Sequence, residues 1–130
     1  MVGPRQCRPP EQLRRLKNAR WFGRIAYANA AQYYRDADIF ILPTLSDGFA
    51  LAQLEAQAHG LPVIASQRCG EVVHDGVNGI VLDEPTPDAI VAALQLCLRN
   101  PDQLAQFSEN AMVGERFSLS CLGAQLSMLA

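Results

Sequence analysis

Lysine is almost missing from this chain: Lys17 is the single lysine among 130 residues. Charge of either sign is sparse, at 18% of residues, below the usual share for a globular domain. The formal net charge is only −2. A nucleic-acid binder normally carries a basic face, so that partner class is set aside. Arginine supplies nearly all the positive charge, and Arg5, Arg8, Arg14, Arg15, Arg20 and Arg24 crowd the first segment. A solvated basic face is the default reading of that crowd, with an anionic partner as the alternative.

Cysteine is scattered rather than grouped. Cys7, Cys69, Cys97 and Cys121 form no CxxC pair and no Cys/His set at metal spacing, so no metal site is assigned. They are too far apart for a small disulfide scaffold, which points to a reducing, cytoplasmic compartment. Cys97 and Cys121 lie in apolar helical context and read as small buried hydrophobes. No signal peptide is expected, and no apolar run is long enough to span a bilayer; peripheral contact with the inner face of a membrane stays open. No internal repeat or low-complexity segment is visible.

What is present is apolar: 49% of residues, in a length that suits one domain. Residues 1–10 are rich in Pro and Arg and read as a loop. Glu11–Ala19 has helical spacing through Leu13 and Leu16, Trp21-Phe22-Gly23 reads as a strand end, and Ala30–Ala37 as a helix. Asp38–Pro43 is a continuous apolar run, the mark of a strand buried on both faces. A helix from about Phe49 to His59 follows, with Leu51, Leu54, Ala58 and Leu61 as its apolar positions and Gly60-Leu61-Pro62 as its stop. Val63–Ala65 and Ile80–Leu82 read as strands, Glu71–Val73 as one helical turn, and Asp75–Gly79 as turn chemistry. Helices are expected over 86–99, 101–112 and 115–129. Alternating strands and helices imply a parallel sheet with helices on its faces. Ligands of such sheets bind beyond the carboxyl ends of the strands, where the Asp47-Gly48 loop and the 67–70 loop both open.

Residues 43–66, PTLSDGFALAQLEAQAHGLPVIAS, carry the chemistry. The start of the helix leaves backbone N–H groups free and carries the positive end of its dipole. Gly48 lets a ligand come close to the backbone. A phosphate or diphosphate fits there, with Asp47 and Glu55 near enough to accept hydrogen bonds from hydroxyls. Asp47 also suits a helix N-cap, and Glu55 a surface position. Trp21, Tyr33 and Tyr34 read as packing residues. His59 reads as structural, His74 as solvated, and Cys69 as non-catalytic without a base beside it.

Seven residues separate Asp47 from Glu55. Together with Gly48-Phe49, Gly60-Leu61-Pro62-Val63-Ile64-Ala65, Gly70-Glu71-Val72-Val73 and Asp75-Gly76-x-Asn78-Gly79, the stretch resembles the C-terminal domain of group 1 retaining glycosyltransferases of the GT-B fold. The resemblance extends over about residues 20–112. It implies an α/β fold, a Rossmann-like parallel sheet with flanking helices, as a truncated C-terminal GT-B domain. Residues 1–112 would form the partial nucleotide-sugar-binding domain and 113–130 a C-terminal helix packed on it. The implied activity is transfer of a sugar from a UDP- or GDP-sugar to an acceptor hydroxyl with retention, with no further cofactor. Glu55 would bind the ribose and Asp47 would lie near the donor sugar as the catalytic carboxylate. The backbone of Gly48, Phe49, Ala50 and Leu51 would meet the diphosphate or sugar hydroxyls. The loop of Gly23 and Arg24 would face the base, and Gly70 and Glu71 would line the cleft. Eight residues along a helix rise about 12 Å, so Asp47 and Glu55 would touch different parts of one long ligand.

Four departures from that family pattern stand out. Asp47 replaces the usual glutamate. Ala50 replaces a glycine and would narrow the approach to the backbone. The Arg and Lys that neutralise the diphosphate have no matching pair, and the N-terminal acceptor domain is absent. The chain is therefore expected to be inactive alone, and its uncovered sheet edge to favour a homodimer. A non-catalytic nucleotide-binding or interaction module, and a GT-B sugar-nucleotide epimerase fragment, are the competing readings.

Overall fold

The computed structural model describes residues 15–48 and 50–128. The expected loop at 1–10, Cys7, the first residues of the expected Glu11–Ala19 helix and the role given to Phe49 lie outside the described residues.

Three strands, β1 (Phe40–Leu42), β2 (Val63–Ser66) and β3 (Gly79–Leu82), form a parallel sheet in the order β1-β2-β3. Among the described residues five helices accompany it: α1 (Tyr27–Arg35), α2 (Leu51–Ala58), α3 (Pro87–Arg99), α4 (Pro101–Glu109) and α5 (Leu119–Ser127), the last preceded by a 3-10 turn at Glu115–Phe117. Every residue of β2 is buried. The pleat sends its side chains alternately to two cores. Val63 and Ala65 pack with Ala56, Leu61, Cys69 and Val73, and with Tyr34 of α1. Ile64 packs with Leu82, Ala93 and Cys97, and with Leu104 of α4. Helices thus cover both faces, the doubly wound arrangement that a parallel sheet requires.

Local chemistry sets the element ends. Thr86 caps α3, its hydroxyl accepting from the Ala89 N–H at 3.2 Å, with Pro87 in the first turn. Gly60, at φ +73°, ends α2, and the Leu61 N–H returns to the Ala56 carbonyl at 3.0 Å. The Asp75–Gly79 turn is tied by its own side chains. Asn78 Oδ1 accepts from the His74 N–H at 2.8 Å and Asp75 Oδ1 from the Val81 N–H at 2.9 Å. Gly79 opposes Val63 so closely that a Cβ there would strike the Val63 carbonyl oxygen.

Several expectations change. The described part of Glu11–Ala19 forms turns, not a helix, and Gly23 makes only an isolated bridge. β1 is half-buried rather than buried on both faces, because it pairs only with β2 among the described residues. Glu71–Val73 is a turn, α4 stops at Glu109, and Cys121 is half-buried while Cys97 is buried. The inward side of α2 is also different. Gln53, Ala56 and Gln57 are buried, whereas Leu51 is 64% exposed and Ala58 is exposed. The turn after β2 presents carbonyls to that face, and glutamine amides answer them where leucines could not. Among the described residues, no helix is long and apolar enough to cross a membrane.

Replacing Gly79 by Ala should destabilise the fold by about 1–3 kcal/mol, the usual cost of forcing an extra carbon into a packed contact. Urea unfolding of Gly79→Ala against wild type measures it; an unchanged midpoint would show that β2 and β3 can part without cost.

Candidate functional site

The carboxyl edge of the sheet is where the loops meet. The Ser66 hydroxyl donates to the Thr44 carbonyl at 2.5 Å, joining the ends of β1 and β2. The Asp47 N–H donates to the Arg68 carbonyl at 3.1 Å. Gln67 reaches across to the end of β3, its N–H donating to the Leu82 carbonyl at 3.1 Å and its Nε2 to the Asp83 carbonyl at 2.9 Å. Arg68 and Glu84 form an exposed ion pair at 3.1 Å. Three consecutive strand ends are cross-tied in this way, and α2 begins among them.

Two stripes divide α2, because residues four apart share one side of a helix. The inward stripe is Gln53 and Gln57. Gln53 Nε2 donates to the Cys69 carbonyl at 2.6 Å and Gln57 Nε2 to the Val72 carbonyl at 3.4 Å. The outward stripe is Leu51, Glu55 and His59. Glu55 is half-buried, and its Oε2 accepts from the Tyr34 hydroxyl at 2.9 Å. His59 Nδ1 lies 2.8 Å from the Glu55 carbonyl, and its ring stacks on Tyr34 at 5.2 Å.

The start of α2 is chemically open. Its N-cap is Ala50, which offers no side-chain hydrogen bond, and no acidic residue lies in the first turn. The reading of Asp47 as N-cap is therefore corrected: Asp47 sits in the preceding loop, exposed. The 12 Å helical ruler does not apply to it; only the rise of about 6 Å from Leu51 to Glu55 does. Gly48 is exposed, with nothing among the described residues within 4 Å of a Cβ placed there. Ala50 is buried, its methyl packed among Ala56, Leu61 and Val63. Uncapped amides, open ground at Gly48 and a positive dipole end form an arrangement able to receive an anion.

The remaining candidates are more dispersed. Gly70, at φ +79°, and Glu71 are exposed in the turn that Gln53 and Gln57 hold from below. No helix starts at Glu71, in place of the helical turn expected at Glu71–Val73. From outside, Arg116 Nη2 donates to the Glu71 carbonyl and lies 3.4 Å from His74 Nε2. Gly23 takes φ +69° and Arg24 is exposed. Cys69 is fully buried and donates from Sγ to the Ser66 carbonyl at 2.9 Å. Burial raises its pKa, and the charge of Asp47 adds to the rise. A thiol held protonated in this way is structural. The concave space of about 350 Å³ lies elsewhere, at the amino ends of the strands, between Tyr34, Asp38, His59, Gly60, Leu104 and Ser108.

Tyr34, Gln53 and Gln57 were not legible as site-forming residues. A faint signal existed for the glutamines: two of them four apart, in a run otherwise apolar except for Glu55. For Tyr34 there was none, since 21 residues separate it from Glu55.

Residues 8–113 match the profile of the family described as glycosyl transferases group 1. The D-inositol 3-phosphate glycosyltransferase of Thermobispora bispora is 37% identical over 100 residues, covering 75% of this chain and 23% of that protein. The chain thus spans about a quarter of the length of the curated relatives it matches. A solved C-terminal domain of a group 1 glycosyl transferase from Francisella tularensis superposes with TM-score 0.63 at 27% identity, over 69% of this chain and 48% of that one. The sucrose-phosphate synthase of Thermosynechococcus elongatus superposes with TM-score 0.69 at 28% identity, over 82% and 28% of the two chains.

The Tyr34–Glu55 contact has a pH signature. Burial, and then the hydrogen bond and charge of Glu55, hold the Tyr34 phenol well above the ordinary tyrosine value of about 10. Above that pH the unfolded chain releases a proton that the folded chain keeps, so stability is intact below about pH 10 and falls as pH rises further. The buried Cys69 and Cys97 thiols, also raised by burial, add to the fall from about pH 9. Urea unfolding between pH 9 and 11 should show a shallower decline in Tyr34→Phe than in wild type. Equal slopes would mean that the phenol is not held by Glu55.

Proposed function

This chain belongs to the group 1 glycosyl transferases, and from that premise we propose that residues 47–55 and the loops around them are the donor half-site of a retaining hexosyltransferase. The donor is an NDP-sugar, with UDP or GDP as the nucleotide. Its diphosphate sits at the uncapped start of α2, against the backbone around Gly48, Ala50 and Leu51; Phe49 lies outside the described residues. Glu55 accepts from the ribose hydroxyls. Asp47, in the loop ahead of the helix, lies by the sugar, with Gly70 and Glu71 lining the opposite wall and the Gly23-Arg24 loop toward the base.

The observation that carries this reading is the pairing of open ground at Gly48 with a half-buried carboxylate one turn inside the helix that follows. In the transfer, the bond from the anomeric carbon to the diphosphate oxygen breaks. A new one forms to the acceptor oxygen, whose proton passes to the departing diphosphate. Negative charge grows on the departing diphosphate, where helix amides already point and need no reorganisation. The relatives are about four times as long as the stretch they share with this chain. The proposal assigns the acceptor site, and the cations that complete diphosphate neutralisation, to that remaining length.

Calorimetric titration with UDP, GDP and ADP tests the site. One of them should bind, and Glu55→Ala should weaken it about ten- to a hundredfold, the worth of hydrogen bonds to a charged group. Equal binding by the variant would remove Glu55 from the site. The 130-residue chain alone should turn over neither UDP- nor GDP-sugars; release of free nucleotide diphosphate in the presence of an acceptor would show that it needs nothing more.

A further inference from the structure

Glu55 is one corner of a closed ring of contacts. Its Oε2 accepts from the Tyr34 hydroxyl at 2.9 Å. The Tyr34 ring stacks on His59 at 5.2 Å and 25°, with Phe40 at 5.8 Å on another side. His59 in turn is set by its Nδ1 against the carbonyl of Glu55 itself, at 2.8 Å. The carboxylate therefore has its rotamer chosen by α1 and by the end of α2. A glutamate on an exposed stripe would otherwise sample several rotamers and lose that freedom on gripping a ligand.

The chemistry of a carboxylate makes the choice consequential. It offers two oxygens and no donor. With Oε2 taken up in part by the phenol, Oε1 is the better placed acceptor for a ligand hydroxyl, and the fixed rotamer sets the direction it faces. A fixed acceptor of this kind rejects a ligand that lacks the matching hydroxyl more strongly than a floppy one does, because the lost hydrogen bond cannot be replaced by swinging elsewhere.

We propose that Tyr34, backed by His59, is a positioning residue that pins Glu55 so that the site selects ribonucleotides over 2′-deoxyribonucleotides. The inference rests on the donor-site reading above and adds its sugar selectivity and the residues that set it. Tyr34 touches no ligand; it acts through Glu55.

The test titrates the 130-residue chain with UDP, GDP and their 2′-deoxy counterparts. The wild type should bind the ribo form about tenfold or more tightly than the deoxy form, as expected for one hydrogen bond to a charged group. Tyr34→Phe should lose most of that ratio by weakening the ribo form, while its affinity for the deoxy form stays within about twofold of wild type. His59→Ala, at an exposed position, leaves the phenol in place but removes the ring it rests on, and should give an intermediate ratio even if Tyr34→Phe folds poorly. Circular dichroism melts of both variants separate loss of fold from loss of selectivity.

A wild type that binds none of these nucleotides overturns the donor-site reading and this inference with it. A wild type that binds ribo and deoxy forms alike, or variants that keep the full ratio, overturn the inference alone. Equal weakening of both forms would reduce Tyr34 to a packing role. Tighter binding by Tyr34→Phe would make the phenol a competitor for Glu55 rather than its support.

Discussion

Gln53 donates from a fully buried amide to the carbonyl of Cys69, and much of the geometry at the carboxyl edge follows from that contact. The turn after β2 has carbonyls that must be satisfied once α2 covers them. Gln53 and Gln57, one turn apart, meet Cys69 and Val72 and so set the rotation of the helix about its axis. With the inward stripe committed to the turn, the outward stripe brings Glu55 and His59 to Tyr34 of α1 and leaves Leu51 exposed. Losing either amide would leave a buried carbonyl unpaired, which costs more than the net worth of the bond. Gln53 Oε1 is itself buried without a partner among the described residues, so this seating is held at some expense in stability.

The loops at the same edge are braced rather than left to drift. Ser66 ties to Thr44, Asp47 to Arg68, and Gln67 to the end of β3. The exposed Arg68–Glu84 pair adds little by itself, since surface ion pairs contribute under about 1 kcal/mol. Arg116 and Asn110 reach back from the C-terminal part of the chain to the carbonyls of Glu71 and Val77. Preorganisation of this kind suits a site whose work is to hold a charged leaving group in place.

One departure from the family pattern changes meaning in the structure. Ala50 stands where a glycine is usual, and its methyl looked like an obstacle to backbone approach. It is instead the N-cap of α2 and part of the core beneath it. The shorter Asp47 is likewise no cap, because the helix starts three residues later than that role would need.

The fold class was readable from the order of apolar runs, glycines and prolines. β2, α3 and the break between α3 and α4 fall close to where Val63–Ala65, Thr86-Pro87 and Asn100-Pro101 placed them. Family membership was readable too, because the carboxylates, glycines and turn residues stand at fixed chain spacings. What the sequence could not specify was which way α2 faces. Hydrophobicity pointed to Leu51, Leu54 and Ala58, yet two glutamines are buried and Leu51 is exposed. That outcome depends on carbonyls offered by a turn twelve or more residues away, and on a phenol from a different helix. Local propensity acts along the chain and chooses the elements; unsatisfied backbone groups act through space, and only the folded arrangement decides which side chains answer them.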